Sequence, residues 1–313
     1  MAFLTLVMVA TLCFALTKLA GEEAAFGDRP PTPEVRAEIE KKWGLNLPLH
    51  EQYLLHMSKL MVLDSMESRI RKNQTLRDVL RDQLPTSLRL GARALILALL
   101  LGIPIGVISA VYHNRWLDTG GMLFALVGVS VPSFILASIT LYVATRMLSM
   151  KVIGWEKPLE VGVNLPGGIQ AITDEVLRLR LWIPALCLGA FPFAAILRLT
   201  RSSMLDALSQ DYVRTARAKG LTPWKVIGVH ALRNALTPVV TYVGPVTAGV
   251  LTGSLVVEKI FAIPGLGRFF VESVSNRDLP LIMGLTVFYS ALLIFMNLLV
   301  DAVYPILNPR LRR

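Results

Sequence analysis

Residues 198–234 read RLTRSSMLDALSQDYVRTARAKGLTPWKVIGVHALRN, and they lie between two runs, Leu181–Leu197 and Ala235–Val257, that hold no charged residue. A hydrophilic insert of this kind between apolar runs is the pattern of a polytopic membrane protein with a structured element at its surface. The rest of the chain agrees. Of its 313 residues, 54% are hydrophobic and 17% charged, and the mean hydropathy is +0.56. A soluble domain of this size could not hide so much apolar surface. Crossing the hydrocarbon core takes roughly 20 apolar residues as a helix. Further charge-free runs occur at Ala94–Tyr112, Gly120–Thr145 and Leu279–Val300, with a shorter one at Ala2–Thr17. The short runs reach spanning length if Lys18 and Arg198 snorkel to the interface. Counting these runs gives six spans and an all-α polytopic fold.

Residues 1–20 are read as a retained first transmembrane helix, since no basic stretch precedes the apolar core and no small-x-small cleavage site follows it. Residues 21–86 form an extracytoplasmic helical cap segment, and 87–313 a five-helix core that includes the loop 198–234. Within the cap, a helix from Thr32 or Pro33 is expected to stop at Gly44. A second covers Leu49–Leu63, and a third runs from Thr75 to Leu84 and ends at Pro85. Pro104, Pro132, Pro184, Pro192, Pro238, Pro245 and Pro280 lie within or at the edge of spans and are expected to kink them. Pro132, Ser133 and Pro245 are the positions read as lining a pathway.

The net charge of +10 is unevenly placed. Arg198, Arg201, Arg214, Arg217, Lys219, Lys225 and Arg233 face only Asp206 and Asp211 in the insert, and Arg310, Arg312 and Arg313 close the chain. Positive residues are retained on the cytoplasmic side. That places 198–234 and both termini inside, and it accounts for the basicity without nucleic acid. Cys13 and Cys187 lie in separate spans and match no metal or redox spacing, and the four histidines form no cluster. Asp301 is expected to pair with Arg198, Arg201 or the Arg310 region, while Arg89 and Arg93 face a pathway or headgroups.

The insert itself reads as two helices. The first runs from about Ser203 to Lys219 and stops at Gly220, a left-handed C-terminal cap. The second starts with Thr222 as N-cap and Pro223 at the first helical position, and runs to about Leu232. The knuckle between them presents Ala218, Lys219, Gly220, Leu221 and Trp224, with Leu221 and Trp224 as an apolar anchor rimmed by cations. A membrane-surface helix would serve better without a capped break, so the knuckle is read as a docking element for a soluble partner.

Asp211–Leu221 (DYVRTARAKGL) followed by His230–Thr237 (HALRNALT) resembles the signature loop of the oligopeptide/dipeptide/nickel ABC importer permeases, in particular their B-type subunit. Further resemblances, in family order, cover nearly the whole chain. They are Leu84-Pro85-Thr86, Leu101-Gly102-Ile103-Pro104-Ile105-Gly106-Val107, Val131-Pro132-Ser133-Phe134, Arg198-Leu199-Thr200-Arg201-Ser202-Ser203-Met204, Phe261 to Arg268, and Asn297 to Asp301 with Pro309-Arg310. In this chain Arg214-Thr215-Ala216 stands where the general importer motif has Glu-Ala-Ala, as in the peptide-type branch.

The resemblance implies a type I importer permease fold and a subunit of the prokaryotic cytoplasmic (inner) membrane. Its partners would be a second, C-type permease, two ATPase subunits and an extracytoplasmic solute-binding protein. Arg214, Thr215, Ala216, Arg217, Ala218, Lys219, Gly220, Leu221 and Trp224 would dock the ATPase, with 211–224 as the coupling element. The chain has no Gly-rich Lys-Ser/Thr phosphate loop, so it is expected to carry no cofactor and no catalysis; ATP and Mg would be bound by the ATPase partners. Di- and oligopeptides lead as cargo, with nickel chelates, glutathione-like peptides and sugars carried by relatives. The alternative is an ion-coupled secondary transporter, which needs carboxylates or a broken-helix ion site near the midplane. The middles of these spans hold Ser, Thr, Asn297 and Gly but no Asp, Glu or His. A membrane enzyme built on Ser130 or Ser133 lacks an intramembrane His or Lys to activate it.

Overall fold

The structure is a computed structural model that describes residues 2–19, 33–34, 37, 40–41, 44–61, 66–68, 74–147, 169–251 and 255–307. Its helices are α1 (Ala2–Leu19), α2 (Leu49–Met61), α3 (Leu76–Val111), α4 (Trp116–Ser130), α5 (Ser133–Tyr142), α6 (Ile169–Leu208), α7 (Asp211–Ala218), α8 (Pro223–Lys225), α9 (Leu232–Leu251), α10 (Leu255–Ile260), α11 (Leu266–Ser275) and α12 (Leu279–Leu307). Wider π turns occupy Val143–Met147 and Val226–Ala231. Among the described residues, five helical stretches are long and apolar enough to cross a membrane, six if α4 and α5 count as one broken span. The fold is that of an all-α polytopic membrane protein.

Two compact units divide the chain. The first comprises 1–86 and 264–294, the second 87–263 and 295–313.

In the first unit, α2 packs on α1. Phe14 meets the Tyr53 and His56 rings edge-on, and the Thr11 and Tyr53 hydroxyls lie 2.9 Å apart. Gly44 takes φ +62, the left-handed stop that its position predicts. Helix α3 opens with a capping box: the Asp78 carboxylate accepts the Thr75 amide at 3.0 Å, and Thr75 Oγ1 accepts the Asp78 amide at 3.2 Å. The expected stop at Pro85 does not occur, and the helix runs on to Val111. Met66, Leu76, Val79 and Leu80 are buried against Leu266, Phe269, Leu281 and Leu285. That burial outweighs one lost backbone hydrogen bond.

In the second unit, α6 is the element on which the others pack, with its broadest contacts to α9 and α4. It continues through Pro184 and Pro192 and begins a dozen residues before the expected span, at Ile169. Residues 163–168, where Asn164-Leu165-Pro166-Gly167-Gly168 reads as a loop, lie outside the described residues. Small residues set the helix spacing. A Cβ on Gly106 of α3 would lie 2.8 Å from the Leu197 carbonyl oxygen of α6, and one on Gly102 would lie 2.9 Å from Ile196. Two glycines four apart let the backbones meet.

The third span is not straight. Helix α4 ends at Ser130, Val131 is extended, and α5 restarts after Pro132 at 100° to it. Proline at 132 has no amide to offer, and it disfavours helical backbone in the residue before it. Pro280, by contrast, is the second residue of α12, where no intrahelical donor is needed.

Gly106→Leu is expected to destabilise the chain by about 1–3 kcal/mol or more through overpacking. Gly120→Ala, with nothing within 4 Å of an added Cβ, is expected to stay within about 1 kcal/mol of neutral. Thermal unfolding of detergent-purified protein measures both; equal midpoints would remove the close-packing account.

Candidate functional site: the basic knuckle and its ion-pair support

The hydrophilic insert differs from its expected form at both ends. Helix α6 carries the chain out of the membrane-spanning run as far as Leu208, then breaks at Ser209-Gln210, where the Ser209 hydroxyl donates to the Asp206 carbonyl at 2.8 Å. The first knuckle helix, α7, therefore starts at Asp211 and not at Ser203. Its Val213 and Ala216, three residues apart, are buried against Met204, Ala207, Val226, Ala231 and Ala235.

The stop at Gly220 is as the residues indicate. Gly220 has φ +74; its amide donates to Arg217, and the Leu221 amide reaches the Ala216 carbonyl at 3.4 Å. This pair of bonds is a Schellman cap, which brings the residue after the glycine back onto the helix. Leu221 accordingly packs inward on the Val213–Ala216 cluster and is not presented with Trp224. Thr222 occupies the N-cap position with extended backbone, but its side chain makes no capping bond. After Pro223-Trp224-Lys225 the chain does not end at Leu232. A π turn joins it to α9, so the second knuckle helix and the fifth span are continuous.

The outer face that results is cationic with one large apolar anchor. Arg214, Arg217, Lys219 and Lys225 are exposed, as are Thr215, Ala218 and Gly220. Trp224 is 84% exposed. Of the nine residues read as docking positions, Ala216 is buried and Leu221 half-buried; the other seven share the surface. The Arg214–Asp211 contact is 3.5 Å between exposed groups and contributes little.

Beneath the knuckle lies a support that the sequence reading missed. Asp118 of α4 is 3% exposed, and Arg201 of α6 grips it with both arms. Arg201 Nε donates to Oδ1 at 2.5 Å and Nη2 donates to Oδ2 at 2.7 Å. The Asn114 amide donates to Oδ2 at 3.0 Å, made possible by φ +59 at Asn114, and His113 Nδ1 lies 3.3 Å from the same oxygen. Asp118 lies in the first turn of α4, two residues before the apolar run that opens at Gly120. There the Arg201 hydrogen bonds, helped by the Asn114 amide, keep the buried carboxylate paired. Arg201, one of the three partners expected for Asp301, is thus held by Asp118; the Asp301 side chain and Arg310 lie outside the described residues. An acid within two residues of an apolar run was the available signal. Glu258, fully buried and bonded by Ser87 Oγ at 2.8 Å, carries the same signal. Arg93 places its guanidinium 5.8 Å over the Trp182 ring.

The residues read as pathway positions separate. Pro132 and Ser133 are exposed at the α4–α5 break and line a cavity of about 130 Å³ with Gly128, Cys187 and Phe191. A larger, almost wholly apolar cavity of about 380 Å³ lies beside it, between Phe124, Leu136, Leu186 and Phe193. Pro245 lines neither; it is exposed on α9.

With this geometry in place, comparison with known proteins identifies the class. Residues 102–313 match the family model described as the binding-protein-dependent transport system inner membrane component. The dipeptide transport system permease protein DppB of Bacillus subtilis (strain 168) is 39% identical over 309 residues, 98% of this chain and 94% of the relative. The oligopeptide transport system permease protein OppB of Salmonella typhimurium (strain LT2) is 37% identical over 308 residues, 98% and 95% respectively. The DppB protein of Lactococcus lactis subsp. cremoris (strain MG1363) is 34% identical over 310 residues, 99% and 95%. The chain belongs to the binding-protein-dependent inner-membrane component family and is a non-catalytic permease subunit of an ABC importer.

Arg201→Ala strands a buried carboxylate and is expected to cost about 3–5 kcal/mol. Asp118→Asn is expected to cost less, because the Arg201 side chain is 21% exposed and water can reach it. A larger fall in thermal midpoint for Asp118→Asn than for Arg201→Ala would contradict this ordering.

Proposed function

We propose that this permease forms half of a solute pathway for di- and oligopeptides, and that residues 211–224 are its coupling element for ATPase subunits. Its termini lie in the cytoplasm. A C-type permease, two ATPases and an extracytoplasmic solute-binding protein complete the importer, and ATP and Mg are bound by the ATPases. The observation that carries the reading is the knuckle: a Schellman-capped turn, backed by its own small core, that holds a nearly bare Trp224 among exposed cations. Lipid binding alone would not call for a cap that breaks the helix. The names of the relatives support peptides as cargo.

The α9 surface supports the pathway half of the proposal. Asn234, Pro238, Thr241, Pro245 and Gly249 are exposed at spacings of four, three, four and four, which sets them on one helical face. This face shows no large apolar side chain, whereas exposed faces elsewhere carry Leu100, Leu101, Leu123, Phe124, Phe295 and Leu298. A face that is polar, small and proline-rich suits a water-lined route better than lipid. The ion-coupled alternative finds less support. Among the described residues the buried carboxylates Asp118, Glu258 and Asp278 lie within two residues of a helix end, and each accepts a hydrogen bond.

The docking reading is tested by affinity purification in mild detergent from native membranes. The intact chain is expected to bring down ATPase subunits and a second permease. Trp224→Glu and Arg217→Glu are expected to weaken ATPase recovery, with about 2 kcal/mol, roughly 30-fold in affinity, lost at an aromatic anchor. Gly220→Pro should do the same through the turn. Leu221 is a poor probe because it is part of the small core. ATPase recovery unchanged in all three variants would sink the docking reading.

The pathway reading is tested separately with Thr241→Trp. It is expected to abolish uptake of labelled di- and tripeptides while the ATPases still copurify. Uptake at the unsubstituted level would remove the α9 face from the route.

A further inference from the structure

The Asp118–Arg201 pair stands at a junction that the docking role does not need. Arg201 is on α6, seven residues before that helix ends, and the coupling segment begins immediately beyond at Asp211. Asp118 is the third residue of α4, whose far end is the 100° break at Val131-Pro132. Asn114 and His113 tie the same carboxylate to the end of α3. One buried carboxylate therefore joins α4, α6 and the turn that follows α3, and it holds α6 through a planar, two-armed guanidinium contact that resists both sliding and rotation.

Elsewhere α4 meets α6 through small and apolar groups, as where a Cβ on Gly128 would lie 3.0 Å from the Ala190 carbonyl oxygen. Such surfaces permit small sliding movements of packed helices. The ion pair is the contact that fixes the cytoplasm-proximal ends of α4 and α6 to each other.

Resting on the docking reading above, we infer that Asp118 and Arg201 are positioning residues for coupling. They form the latch that delivers movement of the coupling segment, carried along α6, into α4 and so to the α4–α5 break. They touch neither nucleotide nor solute. With the latch intact, α6 and α4 move as one body. With it open, the ATPases still dock on the knuckle, but α4 is released from their stroke.

The test uses the assembled importer, purified with its ATPases and placed in lipid nanodiscs. Cys13 and Cys187 are replaced by serine, and a bimane fluorophore is attached at Ser130→Cys, an exposed position at the far end of α4. The readout is the fluorescence change on adding ATP with orthovanadate, together with ATPase recovery.

With the latch intact, nucleotide is expected to shift the reporter. In Asp118→Asn and Arg201→Lys the shift is expected to shrink about fivefold or more, the lower range of a coupling effect, with ATPase recovery unchanged. Asp118→Glu, which keeps the carboxylate, is expected to restore part of it. An equal shift in all variants overturns the latch, as does loss of the ATPases from Asp118→Asn, which would make the pair a docking or folding element. A reporter that stays still in the intact complex also overturns it. Failure of the docking reading is told apart by Gly220→Pro, which would then retain its ATPases.

Discussion

Inside a bilayer, apolar side chains gain little by leaving lipid for one another, so what holds these helices is how closely their backbones can meet. The second unit is arranged around that constraint. Gly102 and Gly106 on α3 face Ile196, Leu197 and Thr200 on α6, with no room for a side chain in between. Because α6 is anchored this way and then continues out of the apolar region to Leu208, it hands a defined position and direction to the knuckle that follows. The knuckle adds its own layer, with Val213, Ala216 and Leu221 folded back over Met204 and Ala207. Placement of the basic knuckle is thus inherited from membrane packing and finished by a small core of the soluble kind.

Much of this was legible in local sequence, because hydropathy, charge and capping are local properties. The charge-free runs mark the spans, and Gly220 and Gly44 mark left-handed stops. What escaped depends on partners distant in sequence. Pro85 reads as a terminator, yet the burial of Leu76, Val79 and Leu80 keeps the helix going past it. Pro132 announces a disturbance, but not that two helices would meet there at 100°. The partner of Arg201 was open among the chain's acids. Asp118 is 83 residues away, and only the packing of α4 on α6 selects it. Leu221 illustrates a finer miss: the glycine stop was visible, while the inward turn of the next residue follows from the hydrogen-bond pattern of the cap.

The break between α4 and α5 and the latch at the start of α4 belong to the same helix, a piece of only 15 residues. A short rigid rod with a fixed foot and a bent head moves as a unit. The apolar cavities sit at its head, bounded by Phe124, Gly128 and Cys187. Empty space there leaves the head room to shift, at the cost of packing that α4 would otherwise gain.

Trp224 has a consequence for how the subunit is made. A tryptophan buries roughly 150–250 Å² when covered, so a side chain left bare in water forgoes about 4–6 kcal/mol before ordering costs are counted. Val229, in the π turn that follows, is also 60% exposed. A copy on which nothing covers Trp224 therefore carries an adhesive spot. Such a spot favours rapid capture by the proper subunit, and equally by lipid, another copy or the cell's quality-control proteases. If Trp224 takes the docking role proposed above, that one exposed ring rewards balanced synthesis of the importer's subunits.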